Sequence, residues 1–206
     1  MKYFVLSPKE EAGCPVGSLD VALYDRFYTN TEGVRYVLFP WYTRNCEMKS
    51  GSVFPKSGVL ICKDDFYDFD IAGVSRFFHI VSDALLSVCA DLNVDIVDCA
   101  RVQVVSVSGV EISSKAYNAV LFNELDARKD SDPSSIFMEE KSGRPFRIKK
   151  LVLPAEWELD LFKYGGMISG SSSLICSERF KDLAKDFKGI DFTPLDTVLW
   201  SGIRAI

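Results

Sequence analysis

The sequence of 206 residues contains one histidine, His79, and that scarcity excludes whole classes of chemistry. A zinc site built on two histidines cannot form, and no cysteine cluster replaces it. Any Ser-His-Asp or Cys-His catalyst would have to use His79. The six cysteines, Cys14, Cys46, Cys62, Cys89, Cys99 and Cys176, are scattered and make no C-x-x-C pair. In a reducing compartment such cysteines act as small buried hydrophobes. Phosphate-cradling motifs are also missing: there is no G-x-x-x-x-G-K-[ST] loop and no G-x-G-x-x-G after a strand. Ser169, before Gly170, lacks the rest of a nucleophile elbow. No apolar run approaches the roughly 18 residues of a membrane span. The opening apolar run, Tyr3 to Leu6, is too short for a signal peptide and stops before Pro8 and two glutamates. The expectation is a cytoplasmic protein without metal or cofactor.

What is present is ordinary globular material. Hydrophobic residues make up 48% and charged residues 26%, enough apolar surface for a substantial core. Lys and Arg total 24 against 29 Asp and Glu, a net charge of -5 that gives no general attraction to nucleic acid or anionic membranes. The charge is segregated. Ser57 to Ala100 carries eight acids and two bases, and Lys141 to Lys150 five bases and no acid.

Strands are expected at Lys2–Leu6, Val34–Phe39, Val59–Cys62, Val102–Val107, Tyr117–Phe122 and Phe146–Leu153, with Leu159–Tyr164 as neighbour to the last. Loops are expected at Asn45–Gly58, Ala127–Ser135 and Gly165–Ser173. Val74, Phe77, Phe78, Val81, Leu85, Val88 and Leu92 recur at helical spacing and predict one long amphipathic helix near 74–92. His79 would sit beside its apolar face, with Asp83 one turn later. After a short strand at Leu174–Cys176, Ser177 caps a helix running to about Lys188, stopped by Gly189. Ile190 to Leu195 is extended. Ser57–Phe66 (SGVLICKDDF) and Ser171–Phe180 (SSSLICSERF) echo each other, as two copies of a strand-to-helix unit would. Without steady βαβ alternation the fold class is α+β, with a mixed or mainly antiparallel sheet and a few helices. The chain divides into residues 1–110 and 111–206, or forms one continuous domain.

Two stretches could hold a partner. The run Asp64-Asp65-Phe66-Tyr67-Asp68-Phe69-Asp70 interleaves acids with aromatics. As a surface it would complement a basic protein, with Asp64, Asp65, Tyr67, Asp68 and Asp70 as contacts; otherwise it is a helix start with a few core rings. These acids lack the glycine and terminal glutamate of a calcium loop. The second stretch is Phe39-Pro40-Trp41-Tyr42-Thr43-Arg44. Trp41, Tyr42 and Arg44 are of the types that dominate binding hot spots, and Trp41 is equally suited to the core.

The C-terminal third adds a resemblance. Arg147-Ile148-Lys149-Lys150-Leu151-Val152-Leu153 is followed by Leu159-Asp160-Leu161-Phe162. Then come Leu174-Ile175-Cys176-Ser177-Glu178-Arg179-Phe180-Lys181-Asp182-Leu183 and Gly189-Ile190-Asp191-Phe192-Thr193-Pro194. This order resembles immunity-protein family eleven, related to family forty-three, of bacterial polymorphic toxin and type VI secretion systems. Met1-Lys2-Tyr3-Phe4-Val5-Leu6 fits as well. The likeness covers about the last 90 residues and the first six, and Cys176 stands where the family commonly has valine or isoleucine. It implies a cytoplasmic, non-enzymatic protein that binds and neutralises a cognate secreted toxin, such as a nuclease, by stoichiometric inhibition. Its partner would be that protein, not nucleic acid or a membrane. The rival expectations are an enzyme using carboxylates against the toxin or its product, and a general adaptor with a sheet edge for partners.

Overall fold

The computed structural model describes residues 1–16, 19, 21–43, 52–75, 77–139, 145–165, 173–198 and 200. β-Branched and aromatic runs form strands that build two mixed sheets. Six strands pair in the order β2 (Val21–Tyr24), β3 (Gly58–Cys62), β6 (Ile96–Ser106), β7 (Tyr117–Phe122), β5 (His79–Ser82) and β4 (Ile71–Gly73). Five pair in the order β13 (Ile190–Pro194), β1 (Tyr3–Pro8), β12 (Ser173–Ser177), β11 (Leu161–Gly165) and β8 (Glu124–Asp126). A separate antiparallel pair joins β9 (Ile136–Glu139) to β10 (Pro145–Lys150). Pairing is parallel at β3–β6 and β8–β11 and antiparallel at the other described pairs. The α-helices among the described residues are α1 (Asp83–Ala90), α2 (Ala127–Asp130) and α3 (Glu178–Ala184). The α+β class with mixed, mainly antiparallel sheets is therefore as expected.

The long helix near 74–92 is not. Among the described residues of that stretch only Asp83–Ala90 is helical, and His79–Ser82 is a strand. Phe78, Ile80 and Val81 are all fully buried, so β5 is covered on both faces. A strand buried on both sides shows no alternation, and its apolar run joins onto the helix that follows as if it were one long periodic segment. Ser82 marks the true start: its hydroxyl accepts from Leu85 N at 3.2 Å. Ala127–Ser135, expected as loop, opens with the short helix α2. β11 pairs with β12 and β8, not with β10 as expected. The predicted helix after Ser177 also stops early, at Ala184, while Gly189 takes the expected left-handed φ of +84°.

The internal echo at Ser57 and Ser171 is not a structural repeat, because bends and no helix follow β3. A different duplication is present. In one copy Asp70 precedes β4, β5 follows, and Ser82 caps α1; in the other Asp160 precedes β11, β12 follows, and Ser177 caps α3. Ser82 N donates to Asp70 O at 2.8 Å, and Ser82 Oγ to Asp70 Oδ1 at 2.6 Å. Ser177 N donates to Asp160 O at 2.9 Å, and Ser177 Oγ to Asp160 Oδ1 at 2.5 Å. Each copy then grips the other. Asn93 and Lys188 lie equally far beyond their own cap serines. Asn93 N donates to Asp160 Oδ2 at 3.0 Å while Asp160 N donates to Asn93 O at 2.9 Å. Lys188 N donates to Asp70 Oδ2 at 2.8 Å while Asp70 N donates to Lys188 O at 2.9 Å.

Equivalent residues of both copies share one buried cluster: Val81 with Cys176, Leu85 with Phe180, and Cys89 with Ala184. A larger cluster, including Leu23, Trp41, Phe54, Leu60, Phe78 and Tyr117, covers the six-stranded sheet. A division near residue 110 falls between β6 and β7, which pair along most of their length. β1 lies inside the sheet built otherwise from strands after residue 123.

Candidate partner-binding surface

The acidic and aromatic run does not form one surface. Asp64, Asp65 and Phe66 face solvent, and Phe66 is 56% exposed. Tyr67 is buried and its hydroxyl donates to Asp64 Oδ2 at 2.5 Å. Asp68 pairs with Lys188 and with Lys115 at 3.3 Å. Lys188 above all, then Lys115, holds the Asp68 carboxyl below the usual carboxylate range. Asp70 is 3% exposed and belongs to the grip described above, with Lys115 Nζ at 3.0 Å. A charge with such partners stays inside, because removing them from it costs more than a surface contact returns. Tyr67, Asp68 and Asp70 are thus engaged within the chain, and Asp64 and Asp65 are the predicted acids that remain presented.

The second stretch is divided in the same way. Trp41 is 4% exposed, and its Nε1 donates to Leu23 O at 3.1 Å. Its ring stacks on Phe39 at 4.7 Å. The Tyr42 hydroxyl accepts from Leu23 N at 2.7 Å, and burial pushes that phenol up. Arg44 lies outside the described residues.

These rings form a base under a feature the sequence reading missed. Val34–Phe39, expected as a strand, instead contains a 3₁₀ turn at Tyr36–Leu38, followed by a second at Pro40–Tyr42. Pro40 lacks an amide for a sheet ladder, and its fixed φ suits the first position of a turn. Three successive apolar residues on so tight a turn point outward in different directions. Tyr36 is 38%, Val37 55% and Leu38 69% exposed. The Tyr36 ring meets Tyr42 edge-on at 5.2 Å and Tyr24 at 6.2 Å. Tyr24 in turn contacts Tyr28 and Phe39. The result is an apolar ridge on a packed aromatic base. The sequence signal was the unalternating Tyr-Val-Leu ahead of Phe-Pro-Trp.

His79 is on β5 rather than a helix, and its ring lies edge-on to Phe122 at 5.7 Å. Its Nδ1 is buried without a hydrogen-bond partner among the described residues. Burial, then the nearby Lys163 charge, lowers its pKa to about 3. Asp83, proposed as its neighbour, bonds instead to Arg101 at 2.5 Å and Asn118 at 2.6 Å. A histidine this hard to protonate is a weak base. Its consequence is for stability. Between about pH 3 and its unfolded value near 6.5 the unfolded chain binds a proton that the folded chain refuses, so stability falls as pH falls through that window. His79→Gln is expected to flatten this part of the stability curve, measured by urea unfolding at a series of pH values. An unchanged slope would contradict the assignment.

No protein-family model matches this chain, and no curated protein matches it either.

Proposed function

We propose that the chain is a toxin-neutralising immunity protein that works in the cytoplasm by binding its cognate secreted toxin mole for mole, without catalysis. The observation that carries this reading is the ridge Tyr36-Val37-Leu38. Exposed aromatic and large aliphatic side chains on a pre-packed base are what an interface needs at its centre: they bury much area and lose little freedom on binding. Asp64, Asp65 and Phe66 supply a second presented element, with charge suited to a basic partner. The resemblance of the C-terminal strand, cap and turn residues to immunity-protein family eleven supports the same reading.

The test is co-purification with the product of the neighbouring gene, which on this reading carries a toxin domain, followed by titration. A stoichiometric complex is expected. Val37→Asp with Leu38→Asp should weaken it on the order of 100-fold or more, with an unchanged melting temperature, because both side chains are solvent-exposed in the free protein. Protection of the toxin's target at far below one equivalent would instead point to an enzyme. Full affinity in the double variant would remove the ridge from the interface.

A further inference from the structure

The buried cluster that the two copies share is not filled to its end. Where it reaches β4 and the starts of β12 and β13, a cleft of about 600 Å³ opens. Ile71, Leu174 and Ile190 belong to the cluster and also line the cleft. β1 and β12 of one sheet contribute to its walls, and so do β4 and β5 of the other. The polar group set into this apolar lining is His79. Its ring makes no hydrogen bond among the described residues, and Nδ1 is buried. A Cβ at Gly73 would meet only that ring, Cδ2 at 3.8 Å and Nε2 at 3.9 Å. Gly73 lines the cleft too, so the Nε2 edge borders space that a glycine leaves open. Lys9 is the one charged side chain of the lining among the described residues; it is exposed and pairs with Glu11 at 3.3 Å. The buried Lys163 charge near His79 is met by Glu124 at 2.5 Å.

We infer that this cleft binds an uncharged, mainly apolar small molecule through one hydroxyl, which hydrogen-bonds to His79 at Nε2. The volume is that of a small-molecule site, and such sites are mostly apolar with a few polar groups that fix orientation. A polar ring left unmatched among apolar side chains costs free energy, and a ligand hydroxyl removes that cost. A neutral imidazole presents either an N–H or a lone pair at Nε2, and a hydroxyl serves both, because it donates and accepts. An ionic ligand fits poorly, since both nearby lysines already have carboxylate partners and a buried charge without its own partner is unfavourable. A ligand in the cleft would touch both sheets and so hold them together. The inference goes beyond the reading of this chain as a toxin binder and uses neither the ridge at Tyr36 nor a partner protein.

The experiment uses para-propylphenol as the probe, with propylbenzene as the same shape lacking the hydroxyl. His79 is the only histidine, so magnetic resonance on the full chain with isotope-labelled histidine reads one imidazole. A saturable shift of its signals by para-propylphenol is expected, together with a raised melting temperature. Propylbenzene should bind at least about tenfold more weakly, because it leaves the ring unmatched. In His79→Phe, followed by the rise in melting temperature, that preference should vanish. Gly73→Val should fill the space in front of the ring and abolish binding. Gly73 lies outside the left-handed region, and its Cβ contacts would be ordinary ones, so this variant should keep its fold. No saturable shift up to the solubility of para-propylphenol, equal affinity for propylbenzene, or tighter binding of the charged para-propylbenzoate would each overturn the inference. So would undiminished binding by Gly73→Val. The comparison of probes on the unaltered chain decides the matter without either variant.

Discussion

Asp160→Ala is expected to cost about 2–5 kcal/mol, a large part of the roughly 5–15 kcal/mol that stabilises an ordinary domain. Asp160 is fully buried. Its carboxylate accepts from Ser177 Oγ at 2.5 Å and from Asn93 N at 3.0 Å, with Arg179 at 3.4 Å. Alanine would leave the buried cap hydroxyl and the Asn93 amide short of their acceptor, at about 1–3 kcal/mol for each group that finds no replacement. It would also loosen the start of α3 and the grip of the first copy on the second. Arg179 is 63% exposed, so its share is small and Arg179→Ala should be nearly neutral. Asp160→Asn should fall between, since an amide keeps one acceptor but sets an N–H donor against one of the donors. Urea unfolding followed by fluorescence and by far-ultraviolet circular dichroism measures this. A midpoint close to wild type for Asp160→Ala would refute the reciprocal grip as a source of stability.

The second large effect is expected at Glu124. Lys163 is 1% exposed, and its ammonium lies 2.5 Å from Glu124 Oε2. It also reaches Phe77 O at 3.5 Å and the Phe77 ring at 5.9 Å. The two residues are opposite each other in the parallel register of β8 and β11. Glu124→Ala removes the carboxylate and keeps the buried charge, which is expected to cost about 3–5 kcal/mol. Replacing both, Lys163→Met with Glu124→Leu, should recover most of the loss, because the desolvation of the pair disappears with it. Gly165 gives an independent check. A Cβ there would sit 2.7 Å from Glu124 Oε1, so Gly165→Ala should push the carboxylate aside and destabilise in the same direction. A double replacement no more stable than Glu124→Ala would show that the site depends on its charges for more than mutual neutralisation.

Local chemistry was legible where one residue decides the outcome. Ser177 reads as a cap because few residue types accept from a first-turn amide, and Phe180 N does bond to its hydroxyl at 3.2 Å. Tyr117–Phe122 reads as a strand from composition and is one, buried at every position. The same complete burial misled at β5, where nothing alternates. The acidic run shows the limit for sites. Asp64 and Asp70 look alike in a sequence, yet one faces water and the other holds a buried serine, a lysine and a backbone amide. Lys188 lies far from Asp70 along the chain, so nothing near Asp70 announced it. The ridge was missed because Tyr36-Val37-Leu38 has the composition of a strand, and only the packing of Trp41 and Tyr42 onto Leu23 turns that segment outward.

The sequence by itself determined the strand-rich α+β class, the cap at Ser177, the left-handed turn at Gly189 and the dependence of any histidine chemistry on His79. Each follows from short-range rules: side-chain shape, backbone freedom, or the count of a residue type. Tertiary structure alone decided which acids are spent inside, which apolar residues are shown, and how two Asp-to-Ser units lock onto each other. Those outcomes depend on contacts between residues far apart in the chain, where the free energy of burying or pairing a group outweighs its local preference.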